Sequence, residues 1–170
     1  MLFRSVHGER RELLFESLVN PGRLIPPMIS GITGITNQMV RAAPRFEEIS
    51  DRLLDALNGR VFVGHNMRFD WGFVSAELYR VRGLRLDGAR FCTVRLARRL
   101  VPQAESCALD ALSRFFALEN PARHRAAGDA LVTAQLLQRL MLLAREQGAR
   151  TLPDLDRLQS ATRRAKPKCR

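Results

Sequence analysis

A run of three apolar residues, 61–63, that lies between turn residues constrains this chain most. An Asn-Gly pair precedes the run and Gly64 follows it. A run of this kind is typical of a strand that is buried on both faces of a sheet. In residues 69–82, apolar side chains then recur at helical spacing up to Gly83. The sequence therefore predicts a buried strand that leads directly into a helix.

The remaining segments predict strands at the beginning of the chain and helices interleaved later. Residues 1–6 and 13–19 are expected to form an antiparallel hairpin with a turn at 7–9. A second short strand is expected at 89–92. Residues 31–36 are expected to form a turn-rich loop, and helices are predicted for residues 36–40, 44–57, 93–100, 106–116 and 125–146. This order predicts an α/β fold, with helices packed around a mixed central sheet.

Length and composition agree with one domain. The 170 residues include 46% hydrophobic and 26% charged residues, and no linker divides them. No apolar run approaches the length of a membrane span, and residues 1–5 lack the apolar core of a signal peptide. The three cysteines show no metal-ligand spacing. We therefore expect reduced thiols, a cytoplasmic protein and no membrane partner.

The net charge of +11 favours a polyanionic partner. All but two of the 28 basic residues are arginine, whose planar side chain can bind two phosphate oxygens at once. The same excess of arginine is also expected from a GC-rich genome. Charge alone therefore supports a nucleic-acid partner only modestly.

Asn66 and Asp70 follow the predicted strand at 61–63, where loops and helix starts of an α/β sheet converge on a ligand. Asp70 could bind a divalent metal ion there, while Asn66 fixes the local backbone through a side-chain hydrogen bond. The simpler alternative is that Asn66 caps the helix and that Asp70 interacts with the positive end of the helix dipole. The pair alone does not decide between these two interpretations.

His124 and Asp129 form a second candidate site. A separation of five residues places two side chains on different sides of a continuous helix. We therefore expect His124 on the preceding loop and Asp129 within the first turns of the helix, so that both reach one point. An uncharged histidine there could take a proton from water at neutral pH. The alternative is an exposed histidine beside an aspartate that stabilises a helix start.

Taken together and in this order, residues 61–70 and 124–129 resemble the second and third motifs of the DnaQ-like exonucleases of the DEDDh group. Several other stretches also resemble proofreading epsilon subunits of bacterial DNA polymerase III, and the resemblance covers residues 1–145. These stretches are residues 20–22, 34–36, 39–40, 92–100 and 109–112. The resemblance implies a ribonuclease H-like fold and a 3′–5′ exonuclease.

In that family, four carboxylates bind two divalent ions, Mg²⁺ or Mn²⁺, and a histidine deprotonates the attacking water. The resemblance assigns Asp70 and Asp129 as metal-binding carboxylates and His124 as the general base. It places Asn66, Phe69, Thr33 and Gly34 at the substrate. Many relatives have histidine before the glycine of this last loop, whereas this chain has Thr33.

The family's first motif, an Asp-x-Glu on the first strand, has no counterpart in the sequence. Met1 aligns with the start of the family's second strand, so the first strand is expected to be missing. The acidic residues before residue 61 belong to the predicted hairpin and to a helix face, and the pair Asp154 and Asp156 follows Pro153, far from the sheet. Because two carboxylates poorly offset two doubly charged ions, we predict weak metal binding and impaired catalysis.

The sequence thus predicts an exonuclease domain at 1–148, incomplete at its N-terminus, and a frayed basic tail at 149–170. The expected substrate is the 3′ end of single-stranded DNA, with RNA also open, and a DNA polymerase catalytic subunit is a candidate partner. One alternative is a non-catalytic module of the same fold that binds nucleic acid or a polymerase. A weaker alternative is a structural domain whose basic tail docks on an acidic protein.

Overall fold

The computed structural model describes residues 1–119 and 126–160. Strands β1 (Leu2–His7) and β2 (Arg10–Glu16) form the predicted antiparallel hairpin, in which Leu2 pairs with Glu16 and His7 with Arg10. Gly8 has φ 60° in the connecting turn, a backbone conformation that glycine adopts without a steric penalty.

Helix α1 (Pro27–Thr33) corrects the expectation of a loop at 31–36, because the chain is helical as far as residue 33. Proline at the first helical position has its φ already set for a helix, and Gly34 ends α1 in a left-handed conformation with φ 68°. A proline disfavours helix only in the residue before it, so Pro26 and Pro27 do not prevent a helix from beginning at residue 27. No residue of α1 is buried.

The next two helices begin with side-chain caps. The hydroxyl of Thr36 accepts a hydrogen bond from the Met39 amide at 3.3 Å and caps α2 (Asn37–Arg41), as predicted. Helix α3 (Phe46–Leu57) begins where the carboxylate of Glu48 accepts a hydrogen bond from the Arg45 amide at 2.6 Å. The buried face of α3 packs against β2 and against the helix at residues 67–82.

Strands β3 (Phe62–Gly64) and β4 (Arg90–Cys92) are parallel neighbours, with Val63 opposite Phe91. Helix α4 (Met67–Arg82) connects them and ends at Gly83, and α5 (Thr93–Leu100) follows β4 without a loop. These elements were predicted within a few residues, because their apolar runs and helix-ending glycines are local signals.

Helices α6 (Leu109–Phe115) and α7 (Ala126–Glu146) complete the main core. Helix α7 contacts β1, α5 and α6, so it connects the hairpin with the second half of the chain. The buried side chains of this core include Leu96, Leu100, Leu112, Leu136 and Leu140. Among the described residues, no helix is long and apolar enough to cross a membrane.

The α/β class is confirmed, with the described strands arranged in two pairs, β1–β2 and β3–β4. The rings of Phe3 on β1 and Phe62 on β3 pack edge to face at 6.1 Å, so the two pairs are in contact. One groove of about 1750 Å³ is lined both by β1 and by residues 61–65. This volume exceeds the roughly 300–1,000 Å³ of a small-molecule pocket, and the groove could accommodate a polymer.

Helix α8 (Leu152–Ser160) corrects the prediction of a frayed tail at 149–170. Its Leu155 is buried in the main core. The Gln159 side chain accepts a hydrogen bond from the Cys92 amide at 3.1 Å and donates one to the Arg90 carbonyl at 2.8 Å. Packed structure therefore extends to residue 160. The domain division at 148 stays a prediction, and residues 161–170 lie outside the described part.

Candidate functional site

The candidate site begins where β3 ends. Asn66 occupies the position before the first turn of α4 with φ 66° and ψ 45°, a left-handed conformation that asparagine tolerates better than most residues. Its side chain makes no capping hydrogen bond, which contradicts the alternative in which Asn66 caps the helix. Asn66 is exposed and therefore determines the direction of the chain at this point through its backbone.

Asp70 lies in the first turn of α4 and lines the groove. Gly64 makes room for it, because a Cβ atom at residue 64 would lie 3.2 Å from Oδ2 of Asp70 and 3.1 Å from Cα of Met67. Although the residue as a whole is exposed, burial of the carboxyl raises its pKa above the ordinary value. The backbone amide of Asp70 opposes this rise by hydrogen bonding to the charged form.

Asp129 lies in the first turn of α7, the location expected from the sequence, and lines the same groove as Asp70. It is half-buried, and Ala130 and Thr133 continue the wall of the groove beside it. The two helices α4 and α7 therefore each present an aspartate from the first turn to one groove. His124 lies outside the described residues, so its proposed pairing with Asp129 stays a prediction.

His65 is a site residue that the sequence reasoning did not identify. Its Nδ1 lies 2.9 Å from Oγ1 of Thr93, the fully buried first residue of α5. Burial lowers the pKa of His65, and a hydrogen bond to the backbone of Cys107 opposes this change. The half-buried imidazole thus connects the end of β3 to two later segments. A polar residue directly after a buried strand was the available signal, but its partner is 28 residues away in sequence.

Two aromatic rings flank Asp70 at the groove. Phe69 and Phe73 are one helical turn apart on α4, and their rings pack edge to face with centroids 4.8 Å apart. Both line the groove, yet 64% of the Phe69 surface and 58% of the Phe73 surface are exposed. The resemblance places Phe69 at the substrate, whereas Phe73 falls within the apolar pattern of the helix predicted at 69–82.

Thr33 and Gly34 lie at the end of α1. Oγ1 of Thr33 donates a hydrogen bond to the Ile29 carbonyl at 2.8 Å and accepts one from the Ile35 amide at 3.2 Å. Thr33 and Ile35 line the groove, whereas Gly34 supplies the left-handed turn between them. The structure therefore brings Thr33 to the same groove as Asp70 and Asp129.

Arginines supply most of the positive charge along the groove. Arg80 is paired with Glu47 at 2.9 Å and with Glu77 at 2.8 Å. Arg60 donates hydrogen bonds to backbone carbonyls at the end of α3, including that of Asp55 at 3.1 Å. The other arginines that line the groove are Arg4, Arg10, Arg23 and Arg45. Glu12, Glu47 and Glu77 line the same groove and offset part of this positive charge. Guanidinium groups are suitable partners for phosphate.

The two aspartates fit a divalent cation only in part. Carboxylate oxygens are suitable ligands for Mg²⁺ or Mn²⁺, and both aspartates line one groove. Within residues 1–119 and 126–160, however, no group of three or more histidine, cysteine, aspartate or glutamate side chains is placed to hold a metal ion. The described residues therefore supply part of a metal site, which leaves room for waters and substrate oxygens as further ligands.

Comparisons with known proteins identify the family of the chain. The family model described as exonuclease (RNase_T) matches residues 4–137. The 3′-5′ exonuclease DinG of Bacillus subtilis (strain 168) is 36% identical over 144 residues, which are 85% of this chain and 16% of that protein. The DNA polymerase III subunit epsilon of Aquifex aeolicus (strain VF5) is 32% identical over 127 residues, which are 75% of this chain and 63% of that protein. The chain thus spans less than two thirds of these relatives.

A solved structure shares the fold. Exonuclease X in complex with 5′ overhanging duplex DNA superposes with a TM-score of 0.72 at 27% sequence identity. The match covers 94% of this chain and 89% of the other, so it includes the helices that carry Asp70 and Asp129. From the family match and this shared fold, the chain belongs to the DnaQ-like exonuclease family and is, by family, a phosphodiester hydrolase.

Proposed function

We propose that this chain carries a 3′–5′ exonuclease site for DNA in which Asp70 and Asp129 bind divalent cations. One observation carries the proposal: two helices each present an aspartate from the first turn to a single groove that arginines also line. Acidic side chains for cations and basic side chains for phosphates are the two requirements of metal-assisted phosphodiester hydrolysis. Relatives named 3′-5′ exonuclease and DNA polymerase III subunit epsilon support the direction and the substrate.

The surrounding residues receive the following roles in this proposal. His124 accepts the proton of the attacking water. Asn66 directs the start of α4 through its left-handed backbone, and Thr33 contacts the terminal nucleotide at the end of the loop set by Gly34. Phe69 contacts a base, because its exposed ring lies one residue before Asp70. Bound Mg²⁺ or Mn²⁺, two ions in the proposal, would activate water and stabilise charge on the phosphate.

We further propose that catalysis by these residues alone is severely impaired. Two carboxylates carry two negative charges, whereas two divalent ions carry four positive ones, so their repulsion is poorly offset. The family's first motif would supply the missing carboxylates from a further strand.

Single-stranded DNA 3′ ends are the proposed substrate, and RNA is an outcome to be tested. Several relatives are named as DNA polymerase III proteins, so a DNA polymerase catalytic subunit is the proposed partner. A cytoplasmic location stays part of the proposal.

The function is tested by the release of nucleotides from single-stranded DNA labelled at its 5′ end, in the presence of Mn²⁺. The chain is compared with the same chain fused to the first strand of a relative, each with and without Asp129→Asn. Asp87→Asn is the matched control, because Asp87 hydrogen-bonds its neighbour Gly88 away from the groove. We expect the fused protein to shorten DNA from the 3′ end, and to lose this activity only with Asp129→Asn.

A second candidate is a non-catalytic module that binds nucleic acid or a polymerase. It is favoured by the incomplete set of metal ligands in the described part of the chain. A folded fusion protein that binds DNA, but releases no nucleotide under any metal condition, would support this second function and reject the first.

A further inference from the structure

The turn between β3 and α4 contains a strained residue that its own side chain does not stabilise. Asn66 has a left-handed backbone with φ 66°, which is unfavourable for a residue with a Cβ atom, and its side chain forms no cap on α4. Conformations of this kind persist only where the surrounding structure holds the backbone, and they are concentrated at functional sites. The residues on either side of Asn66 must therefore supply the restraint.

Met67 and His65 hold the turn from the two sides of Asn66. Met67 is buried beneath the first turn of α4. The imidazole of His65 makes polar contacts instead: Nδ1 lies 2.9 Å from Oγ1 of Thr93, and the ring also hydrogen-bonds to the backbone of Cys107. Because Thr93 is fully buried at the start of α5, these contacts attach the turn to the packed part of the fold.

The same turn determines where the carboxylate of Asp70 lies. Oδ2 of Asp70 lies against Gly64, where a Cβ atom would approach it to 3.2 Å. The hydroxyl of Thr93 also lies 3.5 Å from the carbonyl oxygen of Gly64, so it contacts both residues at the end of β3. A displacement of His65 would therefore move Gly64 on one side and the start of α4 on the other, and Asp70 with them.

We infer that His65 is a positioning residue, which holds Asp70 in place for a divalent cation through its hydrogen bond to Thr93. This inference rests on the proposed function, in which Asp70 binds the cation, and it assigns no contact between His65 and the ion. Residues that orient a metal ligand without binding the metal typically change metal affinity by roughly 10–100-fold when they are replaced.

Binding of Mn²⁺ to the full chain tests this role without any measurement of hydrolysis. The apparent dissociation constant is taken from the paramagnetic broadening of backbone NMR signals near Asp70 and Asp129 as Mn²⁺ is added. His65→Phe keeps a ring and loses its polar contacts, Thr93→Val removes the hydroxyl at the other end of the bond, and Thr93→Ser keeps this hydroxyl. The double variant His65→Phe, Thr93→Val shows whether both changes act through one contact.

Ser50→Ala is the matched control for a loss of stability alone. Like Thr93, Ser50 is fully buried, and its hydroxyl accepts a hydrogen bond from Nε of Arg82 at 2.8 Å. Ser50 lies on α3 and does not line the groove. Its replacement should lower the midpoint of thermal unfolding, as Thr93→Val does, without moving Asp70.

His65→Phe and Thr93→Val should each weaken Mn²⁺ binding roughly tenfold or more, and the double variant should bind no more weakly than either single variant. Thr93→Ser and Ser50→Ala should bind Mn²⁺ as the unmodified chain does. Without metal, hydrogen exchange of the amides of residues 66–70 should be faster in His65→Phe and Thr93→Val than in Ser50→Ala. If His65→Phe does not fold, the comparison of Thr93→Val with Ser50→Ala decides.

The positioning role is rejected if the folded variants of His65 and Thr93 bind Mn²⁺ as tightly as the unmodified chain, or if Ser50→Ala weakens binding as much as they do. Either result leaves the exonuclease proposal intact. An unmodified chain without broadening near Asp70 and Asp129 instead rejects the metal site of the proposed function. Hydrogen exchange of residues 66–70 without metal then still decides whether the bond between His65 and Thr93 holds the turn.

Discussion

Gly64 determines the space that is available to the carboxylate of Asp70. A Cβ atom at residue 64 would lie 3.2 Å from Oδ2 of Asp70, closer than an ordinary van der Waals contact. Gly64 ends a buried strand and Asp70 lies in the first turn of the next helix, so a small residue at the strand end holds the candidate metal ligand against the sheet.

Gly64→Ala should therefore displace Asp70 and reduce stability by about 1–3 kcal/mol, the usual cost of adding a methyl group to a tightly packed position. The second close contact, with the backbone of Met67 at 3.1 Å, cannot be relieved by a side-chain rotation. Urea unfolding at neutral pH measures the loss. Gly72→Ala is the matched control, because nothing lies within 4 Å of a Cβ there. It should raise the stability of α4 by up to about 1 kcal/mol. Equal effects of the two substitutions would contradict the packing argument.

His65 should make the stability of the protein depend on pH. Its pKa in the folded state is lowered from 6.5 by burial, whereas the unfolded chain has the ordinary value. The unfolded state therefore binds more protons below pH 6.5, and this contribution to stability is complete above that pH and decreases as the pH falls through the lowered pKa. The free energy of unfolding, measured between about pH 7.5 and about pH 5.5, should decrease less in His65→Asn than in the unmodified chain. Identical pH dependence of the two proteins would count against burial of the imidazole.

The hydrogen bond between His65 and Thr93 should contribute to the stability of the fold around the site. Thr93→Val replaces the hydroxyl by a methyl group of similar size and leaves Nδ1 of His65 without this partner. We expect a loss of about 1–3 kcal/mol, because a half-buried polar group loses its hydrogen bond. Thr93→Ser keeps the hydroxyl and should lose less. Thermal unfolding of both variants compares them, and a serine variant that is less stable than the valine variant would exclude this role.

Gln159 should attach α8 to the parallel strand pair. Its side chain bonds to the Cys92 amide and to the Arg90 carbonyl, and its backbone carbonyl accepts a hydrogen bond from Nε of Arg95 at 2.9 Å. Gln159→Ala leaves two backbone groups of β4 without these partners, at a cost of about 1–3 kcal/mol. Limited proteolysis should then cleave within α8, whereas the control Gln147→Ala, at an exposed residue, should leave α8 protected. Protection of α8 in both variants would contradict the attachment.

Features set by local sequence were predicted well. The turn at Gly8, the Thr36 cap and the helix that ends at Gly83 each depend on a few adjacent residues. The error at α1 has a local cause as well, since two prolines can either extend a chain or begin a helix. Pro27 is the first residue of α1, where the fixed φ of proline suits a helix.

Contacts between distant segments could not be predicted in this way. The bond from His65 to Thr93 spans 28 residues, and those from Gln159 to β4 span 67 and 69 residues. Neither partner carries a sequence signal for the other. That Asp70 and Asp129 lie near each other could be predicted, because each lies in a recognisable motif. The exposure of Phe73 could not be predicted, because its spacing on α4 matches that of buried positions.

The most direct test of the account is where Mn²⁺ binds. Paramagnetic broadening of backbone NMR signals detects even weak binding and can be recorded on the chain, on Asp70→Asn, on Asp129→Asn and on the control Asp87→Asn. We predict broadening centred on Gly64, Asp70 and Asp129 that either site substitution greatly reduces and that the control leaves unchanged. Broadening centred elsewhere, or equal in all four proteins, would show that these two aspartates do not form the metal site.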